Sequence, residues 1–320
     1  MKKELAMNTS RIAIARWARP AFLNELTFDP LAVGAILAAV LLWGGSYPAM
    51  RVAVGVLSPW AMMAARMIVA LTVILPFAPK LIPNNFQRSD LRLLLPMVLF
   101  QPCLYFLCES HALVYTTSAQ AGVISAFVPL FVTVGAWLVL AESITRNTVA
   151  GLAVSIAGVA GLTLFGEPGG TADNPLLGNT LELLAMACAA ANMVAVKRLS
   201  SRYNPWTLTA MQVCAGTVFF SPGFYFAWRA EPEIWSPGLI LTLCFLGAFV
   251  TLGAFGLYNW GMSRIPASKA SSFINLVPVA AVILGWTLLS ETLSPVQWAA
   301  AATVIAGVAL GQYGGGKRDD

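Results

Sequence analysis

Long apolar runs alternate along the chain with short segments rich in Pro, Gly, Asn and charged residues. A helix needs about 20 predominantly apolar residues to cross a bilayer, and ten runs meet that requirement. They cover residues 31–53, 59–78, 92–114, 118–140, 147–165, 176–197, 206–228, 237–260, 268–289 and 295–313. Alternating strand patterns are absent from the sequence, and helices satisfy their own backbone groups in lipid. The pattern therefore predicts an all-α integral membrane protein with ten transmembrane helices.

The composition supports lipid as the solvent of this chain. Hydrophobic residues make up 58% of the 320 residues and charged residues only 10%, whereas a soluble domain carries roughly a quarter charged residues.

The five cysteines all lie in apolar runs, are odd in number and form no CxxC pair, which argues against disulfides and a zinc site. The net charge of +5 comes from scattered basic residues, so we expect no nucleic-acid partner.

The distribution of basic residues predicts the orientation. With the N-terminus in the cytoplasm, the inside segments hold Lys2, Lys3, Arg11, Arg16, Arg19, Lys80, Arg88, Arg92, Arg146, Lys197, Arg198, Arg202, Arg264, Lys269, Lys317 and Arg318. The outside segments hold only Arg51 and Arg229. Cytoplasmic loops of membrane proteins carry an excess of Lys and Arg. We therefore expect a multi-pass protein of the plasma membrane (the bacterial inner membrane), with residues 1–30 and 314–320 as cytoplasmic tails.

An internal repeat divides the chain into two halves. Displacement by 149 residues brings Pro129, Trp137, Glu142 and the string Ile156–Ala160 onto Pro278, Trp286, Glu291 and Ile305–Ala309. Displacement by 146 residues brings Arg51, Pro59 and Trp60 onto Lys197, Pro205 and Trp206. We predict two five-helix units, 31–165 and 176–313, joined by an external linker at 166–175. Because five is odd, the second unit would enter the membrane from the opposite side, which makes an inverted repeat.

Several segments carry a family resemblance. The stretches "WGGSYPAMRVAV", "SPWAMMAARMIVA", "ESHALVYTTSAQAG", "VPLFVTVGAWLVLAE" and "VPVAAVILGWTLLSE" resemble the EamA-type branch of the drug/metabolite transporter superfamily. The resemblance extends over residues 31–313 and includes the Pro and Glu landmarks in the fourth helix of each unit. It implies a ten-helix bundle that exports or exchanges amino acids, metabolites or drugs, and it leaves the substrate open.

Ionisable residues inside spans are costly and suggest function, and three attract attention: Arg66, Glu109 and His111. Burial penalises the ionised form of a carboxyl group, which lets it load and release a proton near neutral pH. Glu109 is therefore our candidate for proton coupling, with a structural tie between helices as the alternative. His111 is expected to be structural. Arg66 resembles the second-helix arginine of the family, and we expect a structural or gating role.

Further polar and aromatic residues fall on the helices that line the cavity in this family. With Glu109, the candidate substrate-binding residues are Trp43, Ser46, Tyr47, Gln101, Tyr105, Gln120, Asn192, Tyr258, Asn259, Trp260 and Asn275. Each could instead serve ordinary helix packing. Together they predict a cavity with aromatic walls and amide groups, which suits an amphipathic solute such as an amino acid.

Other residues in or beside the spans invite structural interpretations. Pro48, Pro129 and Pro278 each remove a backbone donor, so each is either a hinge or a static kink. Glu142 and Glu291 end their spans at opposite faces. We interpret each as a cap at the membrane edge or a tie to the next helix, in preference to ion coupling. The small-residue faces of the fifth and tenth spans indicate close packing within the bundle or between protomers.

The leading hypothesis is a secondary transporter, an exporter of amino acids or related small metabolites by alternating access. A passive channel or uniporter is the first alternative, and an intramembrane enzyme is a weaker one. The sequence contains no Walker motif, HExxH or nucleophile elbow. We expect no cofactor, no metal and no enzymatic activity, a small-molecule substrate and the lipid bilayer as partners, and a monomer or homodimer.

Overall fold

The structure is a computed structural model that describes residues 29–83, 86–140, 146–165, 173–265, 270 and 273–312. Over these ranges the chain is helical and contains no strand. The two predicted tails, most of the predicted linker, and Glu142 fall outside the described residues, apart from residues 29, 30 and 173–175. The described residues between Leu31 and Gln312 form one compact unit.

Seven helices come from the first half of the chain. They are α1 (Pro30–Val54), α2 (Pro59–Ile74), α3 (Leu91–Val98), α4 (Tyr105–Tyr115), α5 (Ser118–Ile124), α6 (Val128–Leu140) and α7 (Arg146–Leu164). A 3-10 turn (Leu75–Phe77) and one helical turn (Ala78–Leu81) extend α2, and a 3-10 turn at Arg88–Asp90 precedes α3. A π-helical segment (Leu99–Leu104) joins α3 to α4, and a 3-10 turn (Ser125–Phe127) joins α5 to α6.

Seven labelled helices also come from the second half. They are α8 (Pro175–Leu199), α9 (Pro205–Phe219), α10 (Gly223–Arg229), α11 (Pro237–Cys244), α12 (Phe255–Arg264), α13 (Val277–Leu289) and α14 (Pro295–Gln312). A 3-10 turn (Pro232–Ile234) precedes α11, and a π-helical segment (Phe245–Ala254) joins α11 to α12. A 3-10 turn (Phe273–Leu276) leads into α13.

Helix occupies most of each predicted span within the described residues. Six helical stretches are long and apolar enough to cross a membrane: Pro30–Val54, Pro59–Leu81, Arg88–Tyr115, Ser118–Gly135, Pro175–Leu199 and Pro237–Arg264. Three shorter apolar stretches are Val149–Gly161, Phe273–Leu289 and Pro295–Leu310. The chain is therefore a multi-pass α-helical membrane protein.

The seventh predicted span, 206–228, is not one continuous helix. It breaks between α9 and α10, where Phe220 ends the first helix and Pro222 precedes the second. Proline cannot donate the backbone hydrogen bond that would continue the ladder. At Gly223 an added Cβ would lie 2.0 Å from the carbonyl oxygen of Trp60, so the break lets α10 approach the start of α2 closely.

Helix starts and irregular segments repeat between the halves. Ser58 accepts a hydrogen bond from the Ala61 amide at the start of α2, and Asn204 accepts one from the Trp206 amide at the start of α9. Each helix then begins with proline, which fits the first turn because its missing amide hydrogen is not needed there. The two π-helical segments begin at Leu99 and Phe245, which is the same displacement of 146 residues. The repeat is thus visible in backbone geometry as well as in sequence.

The two later prolines also occupy matching positions. Pro129 and Pro278 are each the second residue of their helix, directly after a 3-10 turn. The first turn of a helix tolerates a missing amide hydrogen, so each proline marks a junction between two helix types. Pro48 differs because it lies within the continuous helix α1.

The fifth and tenth spans pack on each other through a reciprocal contact. A Cβ added at Gly158 would lie 2.7 Å from the backbone nitrogen of Val304, and one at Gly307 would lie 2.6 Å from that of Ser155. The Ser155 hydroxyl donates to the Val304 carbonyl oxygen at 3.2 Å. Since Ser155 and Val304 are equivalent in the repeat, the two halves meet here about a local pseudo-two-fold axis. The small-residue faces therefore serve packing within the bundle.

Candidate functional site

The centre of the bundle holds three fully buried ionisable side chains. Arg66 on α2 is 1% exposed, Glu109 on α4 is 2% exposed, and Glu182 on α8 is 0% exposed. Unpaired charges in lipid or protein interiors are costly. Their partners therefore decide what this region can do.

Arg66 is held in place by side chains from three parts of the fold. Its Nε donates to the Thr251 hydroxyl, and its Nη1 lies 3.2 Å from the Met50 sulfur. The guanidinium carbon is 4.3 Å from the centre of the Phe106 ring, within the range of a cation–π interaction. Within the described part of the chain, Arg66 forms no contact ion pair with either carboxyl group, although it lies within electrostatic range of Glu109.

Glu109 is supported by its own helix. The Tyr105 hydroxyl donates to Glu109 Oε1, since residues four apart share one face of a helix. The nearby His111 points elsewhere, with its Nδ1 2.7 Å from the Leu107 carbonyl oxygen. This contact to the backbone agrees with a structural interpretation of His111.

Glu182 is a central residue that the sequence analysis missed. The Tyr47 hydroxyl donates to its Oε1 at 3.0 Å, while its Oε2 is buried and has no hydrogen-bond partner within the described part of the chain. The sequence does indicate Glu182, because it lies inside the predicted span 176–197, and an ionisable residue within a span suggests function for Glu182 as it does for Glu109. Glu182 and Glu109 lie within electrostatic range of each other, so the site contains two carboxyl groups and one guanidinium.

Aromatic rings line the region around these carboxyl groups. The Trp43 ring centre lies 4.8 Å from that of Tyr258 and 5.2 Å from that of Phe255. Phe255 also contacts Phe106, at 5.7 Å between ring centres. Trp43 Nε1 is buried, and no described residue accepts a hydrogen bond from it, although a buried indole N–H usually finds an acceptor. The aromatic wall therefore contains a free donor.

A network of amides lies beside the charged residues. Asn192 Nδ2 donates to Gln101 Oε1 at 2.7 Å, and Gln212 Nε2 donates to Asn192 Oδ1 at 2.9 Å. Asn259 Nδ2 then donates to Gln212 Oε1 at 3.3 Å and to the Thr209 hydroxyl at 3.0 Å. The structure thus brings the predicted residues Gln101, Asn192 and Asn259 together, and adds Gln212, which was not predicted.

A small cavity adjoins this network. Its volume is about 10 Å³, and its lining includes Gln101, Gln212, Thr251 and Phe106. That volume accommodates about one water molecule. The backbone of Gln101 departs from helical geometry, with φ −144° and ψ 122°. The π-helical segment thereby presents both the side chain and the carbonyl oxygen of Gln101 to the network.

The remaining predicted binding residues have other partners. The Ser46 hydroxyl donates to the Trp43 carbonyl oxygen, and Asn179 Nδ2 donates to Gln120 Oε1 at 3.1 Å. The Trp260 ring lies 4.2 Å from the guanidinium carbon of Arg264. These three residues make local or inter-helix contacts of their own. Asn275 differs, since its Oδ1 is buried and finds no hydrogen-bond partner among the residues that the structure describes.

Glu291 caps a helix of the other half. Its carboxylate accepts from the Ser118 amide at 3.2 Å, the Ser118 hydroxyl at 2.6 Å and the Ala119 amide at 3.1 Å. These groups form the N-terminus of α5, where free amides and the helix dipole favour negative charge. Glu291 therefore ties the turn after α13 to α5, an earlier helix rather than the next one.

Another contact crosses between the halves. Asp90 of the first half accepts from the Arg202 guanidinium and from the Tyr203 hydroxyl of the second, the latter at 2.5 Å. The topology prediction places these residues on the cytoplasmic side, opposite to Glu291.

Two equivalent contacts lie within the halves. Arg51 donates to the carbonyl oxygens of Leu113 and Val114, which end α4. Lys197, its equivalent in the repeat, donates to those of Met262 and Ile265, which end α12. Each contact joins segments that the topology prediction places on one side of the membrane.

The described residues contain no group of three His, Cys, Asp or Glu side chains that could hold a metal ion. What the site offers is charge, hydrogen bonds and aromatic surface. One buried carboxylate oxygen and one indole N–H are unpaired, and ring faces lie next to the indole. Such groups can bind a small polar molecule that carries a cationic group.

Comparison with protein families identifies the repeat. The model of the EamA-like transporter family matches residues 30–164 and again residues 176–311. The two matches show that the chain is built from two EamA-like repeats.

Curated relatives match over most of their length. The transporter YcxC of Bacillus subtilis (strain 168), described as uncharacterised, is 28% identical over 293 residues, 87% of this chain and 91% of the relative. An uncharacterised transporter of Archaeoglobus fulgidus is 29% identical over 272 residues, 84% of this chain and 94% of the relative. A probable terminal-alkyne amino-acid exporter of Streptantibioticus cattleyicolor is 25% identical over 287 residues, 87% of this chain and 92% of the relative.

A solved structure shares the fold. One protein crystal structure matches with a TM-score of 0.59 at 19% sequence identity, covering 88% of this chain and 96% of the other. The family match and the names of the relatives together indicate a transporter and not an enzyme.

Proposed function

The chain belongs to the EamA-like transporter family, and on that premise we propose that it is a secondary transporter that exports amino acids or related small metabolites by alternating access. The two halves would rock about the central site and expose it to each side in turn. The substrate would cross the membrane without chemical change.

The observation that carries this proposal is the buried polar site to which both halves contribute. Tyr47, Arg66 and Glu109 come from the first repeat, while Glu182 and Thr251 come from the second. Transporters built from repeats bind their substrates at the interface between them. A relative movement of the halves would separate Tyr47 from Glu182 and Arg66 from Thr251, and so would open the site.

The proposed topology has ten spans, inverted repeats and both termini in the cytoplasm of a bacterial cell. Ties such as Asp90 to Arg202 and Glu291 to Ser118 support it, because they join loops assigned to the same side. Reporters fused after Asp320 or inserted in 79–91 should report the cytoplasm, and one inserted at 168–174 should report the outside. An outside signal from 79–91 would contradict the topology.

Export of amino acids is supported by two observations. One relative is named a probable amino-acid exporter, and the site combines carboxyl, guanidinium, amide and aromatic groups. Efflux of labelled amino acids from cells that overproduce the protein tests the proposal. We expect at least one amino acid to leave faster than from cells without it, and equal rates for all would refute amino-acid export.

Residues of α1 provide the test of where the substrate lies. Trp43→Ala or Tyr47→Ala should slow transport of the identified substrate while the amount of protein in the membrane stays normal. The two residues lie four positions apart and share one face of α1, where Tyr47 donates to Glu182 and Trp43 packs against Tyr258 and Phe255. Transport at the normal rate by both variants would place the pathway elsewhere.

A passive channel or uniporter is the alternative function. Proton coupling through Glu109 separates the two, since a coupled exporter moves substrate against its gradient when protons flow back. In liposomes that contain the purified protein, an imposed pH gradient should drive accumulation of the substrate. Equilibration without accumulation would favour the uniporter.

A further inference from the structure

Glu182 is the least compensated charged group in the site. Its side chain is fully buried, and one carboxylate oxygen has a single partner among the described residues, the Tyr47 hydroxyl, while the other has none there. A buried carboxylate with a free oxygen is unfavourable unless a proton or another cationic group binds there. Arg66 does not fill this role, because it contacts Thr251 and Met50 and forms no contact ion pair with Glu182 among the described residues.

The ionised side chains of the site carry a net negative charge that one cation would neutralise. Two carboxylates and one guanidinium sum to one negative charge when all are ionised, and an added monocation would neutralise it. The charged neighbour of Glu182 among the described groups is Glu109, which repels it. The deficit of positive charge therefore lies at Glu182.

The surroundings of Glu182 fit an ammonium group better than a bare metal ion. Aromatic side chains stand one turn apart on α1, with Tyr47 bonded to Glu182 and Trp43 packed against Tyr258. Aromatic faces attract organic cations, whereas a metal ion requires several oxygen ligands. The free Trp43 N–H supplies a donor for an acceptor on the same molecule, such as a carboxylate or hydroxyl.

We infer that Glu182 binds the ammonium group of the transported solute, and that Trp43 donates a hydrogen bond to an acceptor elsewhere on that solute. The substrate class is thus primary amines, among them amino acids. An ammonium group has three donors and reaches the free carboxylate oxygen with a charge-assisted hydrogen bond. The inference deepens the proposed function, since it rests on this chain being a transporter and names the group that the site recognises.

Matched sets of compounds test the inference on the purified protein in detergent. Each set contains an amino acid, its N-acetyl derivative, which lacks the ammonium group, and the corresponding amine, which lacks the carboxylate. The twenty common amino acids supply the sets. Binding is measured as an increase in unfolding temperature, and dissociation constants follow from calorimetry.

We expect at least one amino acid and its amine to stabilise the wild-type protein and the N-acetyl derivative to fail. Glu182→Gln keeps the size of the side chain and an acceptor for Tyr47, but it removes the charge. It should weaken binding of the ammonium compounds by about tenfold to a hundredfold, as for loss of a hydrogen bond to a charged group. Glu291→Gln, which alters a buried helix cap, serves as the control and should keep the wild-type dissociation constants.

Three results would overturn the inference: no ammonium compound stabilises the wild type, the N-acetyl derivatives bind equally well, or Glu182→Gln binds within twofold of wild type. If Glu182→Gln does not fold, the wild-type preference for ammonium compounds decides, with Tyr47→Phe as the second variant.

Efflux measurements distinguish failure of this inference from failure of the proposed function. Amino-acid export that is unaffected by Glu182→Gln refutes the inference alone, whereas amine binding that depends on Glu182 without export refutes the proposed function alone.

Discussion

The two halves share a scaffold but differ in chemistry. Arg51 and Lys197 each cap the end of a helix, α4 and α12, with side-chain hydrogen bonds to matching carbonyl oxygens. Gly158 and Gly307 make reciprocal contacts between α7 and α14. Caps, helix breaks and close-packing glycines thus occur twice, because both halves need them to form the same fold.

The ionisable groups of the buried site each occur in only one half. Displacement by 146 residues takes Arg66 to Gln212, and displacement by 149 residues takes Glu109 to Tyr258. The counterpart of Glu182 is Ile36, an apolar residue that is fully buried. Every buried charge is costly, so each half keeps only the charged groups for which the shared site has a use. The scaffold therefore follows the internal repeat, whereas the charged groups of the site do not.

The largest effect should come from removing a group that occurs once. Glu109→Gln keeps the size of the side chain and cannot titrate, so we expect loss of transport driven by a pH gradient. Exchange of substrate at equal pH on both sides should continue. Liposome transport with and without the gradient measures both.

Two further variants sharpen this test of Glu109. Glu109→Asp should keep partial coupling, and Glu291→Gln should keep the normal pH dependence, because Glu291 caps α5. An unchanged pH dependence in Glu109→Gln would reduce Glu109 to a structural tie.

A smaller effect is expected from the duplicated glycines. Gly158→Ala and Gly307→Ala would each push a methyl group to within 3 Å of backbone atoms across the α7–α14 contact. We expect each to lower the free energy of unfolding by about 1–3 kcal/mol, and the two losses to be similar because the contact is reciprocal. Thermal unfolding in detergent measures this. Gly34→Ala is the control, since nothing lies within 4 Å of its added Cβ.

Loss of the cap on α5 should cost somewhat less. Glu291→Gln replaces one carboxylate oxygen by an amide donor that would face the donors Ser118 and Ala119. We expect a loss of about 1–2 kcal/mol in the free energy of unfolding, seen as a lower unfolding temperature. A variant as stable as the wild type would show that water replaces the carboxylate.

The smallest effect is expected at the paired basic caps. Arg51→Met and Lys197→Met keep much of the aliphatic side chain and remove the donors to the ends of α4 and α12. Each should lower stability by about 1 kcal/mol. Equal losses would confirm that the halves use the cap alike, while a strong effect on transport from only one would show that its end of the bundle has a further role.

Much of the fold could be predicted because its signals are local. Apolar length marks the helices, and proline after a polar cap marks where α2 and α9 begin. The break between α9 and α10 was missed, since the apolar run continues through it and the approach of Gly223 to Trp60 is a tertiary contact.

The site was only partly predictable. Glu109, Tyr47 and Asn192 were identified by their polarity within apolar helices, and the same reasoning extends to Glu182. Which group bonds to which could not be predicted, because partners such as Tyr47 and Glu182 lie 135 positions apart. Gln120 and Asn192 look alike in sequence, yet one joins α5 to α8 and the other joins the network around Gln101.

The sequence by itself determined that this chain is a helical membrane protein with two related halves, because apolar length, charge placement and the repeat are written residue by residue. Only the tertiary structure decided that Arg66 contacts Thr251 rather than a carboxylate, and that Glu182 keeps a free oxygen. Helix formation depends on neighbours along the chain, whereas the pairing of buried polar groups depends on which faces the packing of the halves brings together.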